Sequence, residues 1–442
     1  MLQLAAPLAL AELGWMAMGI VDTIMAGRLG PAALGAGSLG NMVFYPTVIG
    51  ATGMLLGMDT LVAQSFGANR PQDCRRTLAN GIWLSLALSP VLAAVILALM
   101  PVLHAAGVNP RVMVPLAPYM KALMWGIPML LLYTAFRRYL QAVDIVKPVM
   151  FALVSANLIN LLGNWILIFG YWGAPRLGLE GSGFATSLSR GYMAAVLLAT
   201  ILWHERKTGN LLFHVPWRPD FARIRRLIAL GLPAAGQISL EGAVFGIVTV
   251  LAARLDEVSL AAHSIAVQVI ATTFMVPLGI SSAAAVRVGQ AVGRRDAHGA
   301  SAAGWTALAL SCMFMGSAGI LLFAAPGWLV HLFIGDAAVV ASGATLLRIA
   351  AFFELFDGFQ VVATGALRGA GDTRTPMLAH LVGYWAIGLP VSYLLCFPMR
   401  WGVSGIWVGL TAALILIGAT LVWAWHKRAS RNAGAASCPR PG

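Results

Sequence analysis

Charge is the scarcest resource of this 442-residue chain. Only 10% of its positions are Asp, Glu, Lys or Arg, 59% are hydrophobic, and the mean hydropathy is +0.82. Soluble globular proteins are about 25% charged, so this composition excludes a soluble enzyme, a nucleic-acid-binding domain and a disordered chain. Cysteine is equally sparse. Cys74, Cys312, Cys396 and Cys438 lie far apart without a CxxC pair, which supports neither a disulfide framework nor a structural zinc site. The eight histidines show no HxxxH or HExxH spacing, so no catalytic metal motif is present. The N-terminal stretch MLQLAAPLALAELG lacks a basic region and runs on into a full apolar span. It reads as a first transmembrane helix rather than a cleaved signal.

What the chain does have is long hydrophobic runs. A spanning helix needs about 20 mostly apolar residues, and twelve segments qualify: Leu4–Ala26, Gly40–Phe66, Ile82–Leu103, Met113–Leu140, Pro148–Phe169 and Gly181–Trp203, then Ile228–Ala253, Ala266–Val288, Ala302–Phe323, Val339–Leu367, Pro376–Phe397 and Val403–Trp425. These runs are continuous and lack the two-residue alternation of membrane barrel walls. The expected fold is therefore an all-α integral membrane protein. One substantial polar segment, 204–226, divides it into an N-lobe at 1–203 and a C-lobe at 227–428, with a tail at 429–442.

Basic residues outnumber acids, 29 to 16, a net charge of +13. Sorted onto alternate connections, 21 of the 29 fall on one side, among them Arg75, Arg137, Arg138, Arg223 and Lys427. By the positive-inside rule that side is cytoplasmic and holds both termini. The surplus is thus topological, and nucleic-acid binding has no place in the account.

The two halves repeat. A shift of 226 superimposes Pro7 on Pro233, Arg28 on Arg254, Gln64 on Gln290 and Gly67 on Gly293; a shift of 228 later aligns Asp144 with Asp372 and Pro148 with Pro376. Six spans per half give the copies the same orientation, so they form parallel repeats about an axis along the membrane normal. Two pseudo-symmetric lobes around a central cavity are the architecture expected for alternating access.

Six acids fall within apolar spans: Glu12, Asp22, Asp59, Glu241, Glu354 and Asp357. An intramembrane Asp costs roughly 2.5–3.5 kcal/mol on the insertion scale and by default marks a functional site. Arg190 and Arg348 are the candidate intramembrane cations, too few to neutralise six acids, which points to cations or protons as ligands. At helical spacing Glu354, Asp357, Gln360 and Thr364 share a face, bordered by Phe353. Gln237, Glu241 and Thr249 form a second stripe, and Asn157, Asn160 and Asn164 a third, which serves equally as interhelical glue. Glu12 and Asp59 lie nearer helix ends, where solvation accounts for them at least as well. His263 and His380 read as packed or loop-facing groups. Pro46, Pro128, Pro277 and Pro390 are candidate kinks and hinges.

Taken together, VDTIMAGRLG at 21–30, LVAQSFGA at 61–68, LGLPAAGQISLE at 230–241, AAHSIAVQV at 261–269, RVGQAVG at 287–293 and FDGFQVVATGALRGAGDTRTP at 356–376 resemble the MATE (multidrug and toxic compound extrusion) family, NorM-like branch, over essentially the whole chain. The resemblance implies a V-shaped cavity between two lobes and export coupled to Na⁺ or H⁺ entry. It marks Asp22 as the functional N-lobe acid with Asn160 and Asn164 beside it, and Glu241 and Asp357 as C-lobe acids tied to cation coupling, where Na⁺ could bind. This chain departs from the pattern at Phe353, where a Tyr can occur, and at the additional acid Glu354. The short stretch before Pro7 suggests a start further upstream. The expected function is antiport of amphipathic organic cations against Na⁺ or H⁺ by a monomer in the bacterial inner membrane, without a cofactor. The alternatives are a flippase for lipid-linked saccharides, which would want cationic cavity residues, and a membrane-embedded enzyme, for which no catalytic motif stands out.

Overall fold

The computed structural model describes residues 1–105, 107–207 and 217–436, with side chains to position 430. The linker 204–226 and the tail 429–442 expected from the sequence therefore lie partly outside the described residues. Among those residues the chain is helical throughout. The helices are α1 (Leu2–Gly27), α2 (Pro31–Met54), α3 (Gly57–Gly67), α4 (Pro71–Ala105), α5 (Pro110–Ala142), α6 (Lys147–Phe169) and α7 (Leu179–Lys207). They continue with α8 (Phe221–Ala253), α9 (Glu257–Gly293), α10 (Ala297–Ala324), the short α11 (Pro326–His331), α12 (Ala337–Gly369), α13 (Arg374–His380), α14 (Leu389–Cys396) and α15 (Gly402–Ala436).

Among the described residues twelve spans are long and apolar enough to cross a membrane, counting α2 with α3 as one and α13 through α14 as another. Bulky apolar side chains such as Met42, Phe151, Leu158 and Ile320 stand on the exterior, more than half exposed. Water would not tolerate so many; lipid does. The second and third spans start earlier than their hydropathy suggests, at Pro31 and Pro71, because each opens with Pro at the first helical position, where a missing N–H costs nothing. Local chemistry fixes other starts. Asn109, Asp256, Asp296 and Asp336 each accept a backbone N–H of the first turn that follows. At exposed Asp256 the Ser259 N–H and hydroxyl hold the carboxyl below the usual range.

The chain forms two compact units: an N-unit, Leu10–Ala235, and a C-unit of Met1–Ala9 with Gly236–Gly442. The repeat seen in the sequence recurs in their packing. In the N-unit, α5 packs on α2 and α7, and α7 on α6; in the C-unit, α12 packs on α9 and α15, and α15 on α14. Each central helix is thus embraced by the same two neighbours. Small residues let the C-unit helices close up: a Cβ on Gly365 or Gly369 of α12 would lie 2.3 Å from the carbonyl oxygens of Ser281 or Ala285 on α9. Between α13 and α14, residues Leu381–Gly388 are π-helical. They precede Pro390, whose ring cannot continue the regular hydrogen-bond ladder.

Candidate functional site

In the N-unit, α1, α6 and α7 converge on Asp22. Asn157, Asn160 and Asn164 share one face of α6, as their spacing predicts, but divide the work. Asn157 Nδ2 donates to the Gly14 carbonyl at 2.9 Å and ties α6 to α1. Asn164 Nδ2 donates to Asp22 Oδ1 at 2.7 Å and to Asn160 Oδ1 at 3.1 Å. Thr186 Oγ1 of α7 donates to the other carboxylate oxygen at 3.0 Å. Thr186 was not singled out in the sequence, because a hydroxyl one helical turn before Arg190 carries no signal until α7 is placed beside α1. Asp22 also lines a narrow cleft of about 10 Å³ within this unit, room for a single water, together with Thr23, Asn41, Tyr119, Leu179 and Ser182.

In the C-unit, α8 and α12 bring Glu241 and Asp357 to the same amide. Gln360 Nε2 donates to Asp357 Oδ1 at 3.0 Å and to Glu241 Oε1 at 3.4 Å. Gln237 lies one turn before Glu241 on α8 and is buried. His380 is packed, as one of the two expected readings has it, and fully buried, and it also reaches the acid cluster. Its Nδ1 donates to the Pro376 carbonyl at 2.8 Å, while Nε2 lies 2.9 Å from Gln360 Oε1 and 3.7 Å from Glu241 Oε2. Apolar neighbours in sequence hid it, and it joins the acids because α13 folds back beside α12. His263 is packed as expected, fully buried between Thr249 and Trp407.

The stripe on α12 is split. Glu354, though one turn from Asp357, turns to α9, where Thr273 Oγ1 donates to its Oε1 at 2.5 Å. Its second oxygen is buried without a hydrogen-bond partner. Phe353 stacks edge-on against Phe245 and Trp407 within an aromatic cluster. Among the described residues no group of three or more His, Cys, Asp or Glu side chains is arranged to hold a metal ion.

Two acids change category. Glu12 and Asp59 are 8% and 1% exposed, not solvated at helix ends. Arg137 donates to Glu12, and Arg138 Nη1 lies 3.3 Å from Asp59 Oδ2. These arginines, sorted to the cytoplasmic side by charge, sit in the last turns of α5, where they reach buried acids. A third buried pair, Arg75 with Glu205 at 2.5 Å, is completed by the Tyr139 hydroxyl at 2.8 Å. The N-unit acids thus have buried cations near them, whereas Glu241, Glu354 and Asp357 have amides, a hydroxyl and one imidazole. The chemistry does not follow the repeat: under the 226-residue shift Glu241 falls on Trp15, and Asp22 on Val248.

Twelve apolar helices among the described residues, repeated in two halves and carrying buried acids, point to the class of membrane transporters. The comparisons agree. The MatE family profile matches residues 7–166 and 233–394, one stretch in each half. The chain is 37% identical over 435 residues to a probable multidrug resistance protein NorM of Mesorhizobium japonicum, covering 97% of this chain and 93% of the relative. It is 36% identical over 441 residues to another of Pseudomonas putida, covering 99% and 96%. In structure it resembles an outward-facing multidrug resistance MATE transporter of the MOP superfamily (TM-score 0.88, 19% identity, 98% and 96% covered). It also resembles a eukaryotic MATE transporter (TM-score 0.86, 19% identity, 98% and 97% covered). The chain belongs to the MATE family, whose members are membrane transporters and not enzymes.

Proposed function

We propose that this protein is a multidrug efflux antiporter that exports amphipathic organic cations in exchange for a small monovalent cation, Na⁺ or H⁺. The observation that carries this reading is the meeting of Glu241 and Asp357 on the Gln360 amide, an acid pair to which no Lys or Arg among the described residues is bonded. A pair of carboxylates in a membrane-spanning bundle is stable when a cation or a proton shares the site, which makes occupancy by drug and by coupling ion mutually exclusive. Asp22, Glu241 and Asp357 are the coupling and substrate acids, with Glu354 as an additional acid. Lobes at 1–203 and 227–428 alternate access, joined by 204–226, in a monomer of the bacterial inner membrane with both termini cytoplasmic. The membrane potential supplies about 2.3 kcal/mol per charge per 100 mV to drive the exchange. An anionic lipid-linked saccharide would meet like charge at Glu241 and Asp357, so the flippase alternative is disfavoured.

Ethidium transport in everted vesicles, energised separately by a Na⁺ and by a proton gradient, tests the reading and resolves the ion. Transport in response to one gradient, lost in D357N, is expected. Ethidium movement that ignores both gradients would overturn it.

A further inference from the structure

Glu354 is the acid of the C-unit that the Gln360 cluster leaves out. It is fully buried on α12, and its one hydrogen bond among the described residues is the 2.5 Å contact with Thr273 Oγ1 of α9, while Oε2 has none. The helices packed on this stretch of α12 are poor in charge. His263 is the one titratable residue of α9 between Val258 and Val286, and Cys312 the one of α10 between Ala300 and Ala324; α15 has none between Gly402 and Trp425. His263 is already occupied by Thr249 and Trp407. From α8 comes another acid, Glu241; α12 itself adds Asp357 one turn on and Arg348 nearly two turns back. His331 of α11 and Arg374 of α13 flank the two ends of α12, and His380 is taken up by Gln360.

The hydrogens at this contact can be counted. A hydroxyl carries one proton, and it either donates to a carboxylate or accepts from a carboxylic acid. Thr273 Oγ1 also lies 2.9 Å from the Ile270 carbonyl, the back-bond a Thr makes within its own helix. With Glu354 ionised, one proton has two acceptor oxygens to serve. With Glu354 protonated every hydrogen finds an acceptor: Glu354 donates to Thr273, and Thr273 donates to Ile270. The unpartnered Oε2 agrees, because burial without a partner costs a carboxylate far more than the carbonyl oxygen of a neutral acid. We propose that Glu354 and Thr273 form a proton-binding site distinct from the Glu241–Asp357 pair, loaded in this packing and emptied when an organic cation occupies that pair. Two oxygens suffice for a proton, whereas hard metal cations such as Ca²⁺ and Mg²⁺ take about six or more. A positive centre at Asp357, one turn along α12, favours the ionised form of Glu354. The Oε1–H bond then breaks, the proton goes to water, and Thr273 turns its O–H to the carboxylate. By linkage, a proton on Glu354 opposes the cation to the same degree.

The inference rests on the proposed binding of organic cations at the acid pair, yet the purified protein tests it without transport. The dissociation constant of ethidium is measured by fluorescence across the neutral pH range. One proton released per cation bound makes affinity rise with pH by up to about tenfold per pH unit. E354Q, fixed in the shape of the neutral acid, is expected to lose that contribution. T273V, which strips the carboxylate of its donor, should lose it as well, while T273S keeps the wild-type dependence. The same pH dependence in E354Q as in wild type, or its loss in T273S, overturns the proposal. Infrared spectra of the dye-free protein give a second reading: the C=O band of a protonated carboxylic acid should be present in wild type and weaker in E354Q, and identical spectra overturn the proposal. Because Gln replaces the neutral acid atom for atom and its amide can donate to Thr273, failure of E354Q to accumulate overturns it too. Wild-type protein that binds ethidium but moves it under neither gradient would instead overturn the function proposed above.

Discussion

Asn164 and Asp22 are 142 positions apart in sequence, yet Asn164 Nδ2 stands 2.7 Å from Asp22 Oδ1. With Thr186 on the other oxygen, both lone-pair faces of the carboxylate are held by side chains from α6 and α7. Asp22 has no backbone freedom to reposition itself inside α1, so these donors aim it.

Replacing Asn164 with Ala removes the shorter of the two bonds. A hydrogen bond to a charged group is worth about 1.5–3 kcal/mol, so ethidium efflux by N164A is expected to fall about tenfold or more at equal membrane abundance. Asn157→Ala should leave efflux near wild type while lowering thermal stability, since Asn157 bonds backbone carbonyls instead of the acid. Equal loss of efflux in both variants would show that the α6 stripe is packing alone.

Gln360 is the hub of the C-unit cluster, touching Asp357, Glu241 and His380 within 3.4 Å. Gln360→Met keeps the volume but strips the donors from both carboxylates and the acceptor facing His380. Loss of one such bond costs about 1–3 kcal/mol, and loss of both carboxylate bonds is expected to abolish gradient-driven efflux as fully as D357N while the protein still accumulates. Dye efflux by Q360M within twofold of wild type would show that the cluster does not act as a unit.

The fold was legible in the sequence because lipid imposes a single rule: twenty apolar residues in a row, punctuated by charge. The repeat was legible as matching residues at a fixed shift, and the Asp357–Gln360 spacing because helical periodicity is short-range. What periodicity could not convey is which way a side chain turns once helices pack. Glu354 and Asp357 share a stripe, but one faces Thr273 on α9 and the other the Gln360 amide. Nor could charge sorting see that Arg137 and Arg138, placed on the cytoplasmic side, reach Glu12 and Asp59. His380 was hidden for the same reason, since its partner Gln360 lies twenty positions earlier on a different helix.

The Glu12–Arg137 pair is nearly solvent-free, with side chains 11% and 7% exposed. Removing one member leaves the other charge buried and alone, a loss of about 3–5 kcal/mol. Glu12→Gln should therefore lower the melting temperature of the purified protein sharply, or prevent accumulation. Glu12→Leu combined with Arg137→Met removes both charges and should recover most of that stability. A double variant as unstable as the sum of its single variants would mean the two residues do not act as a pair.

The α9–α12 contact sets where the C-unit acids stand, and two glycines permit it. Gly365 and Gly369 are one turn apart on α12, and Ser281 and Ala285, the residues they approach, are one turn apart on α9. The Ser281 hydroxyl bonds the Val361 carbonyl at 2.7 Å, locking the register. A methyl on Gly365 would lie 2.3 Å from a backbone oxygen, so no side-chain rotation can relieve it and α12 must move. Overpacking of this kind costs about 1–3 kcal/mol. Gly316→Ala on α10 meets nothing within 4 Å and should instead stabilise the helix by up to about 1 kcal/mol. Since Asp357 and Gln360 ride on α12, Gly365→Ala should weaken efflux along with thermal stability, whereas Gly316→Ala should leave efflux intact. Melting curves and dye efflux on both variants provide the check. A Gly365→Ala protein with wild-type stability and efflux would show that the helices part without cost, and that the acids are aimed by something other than this contact.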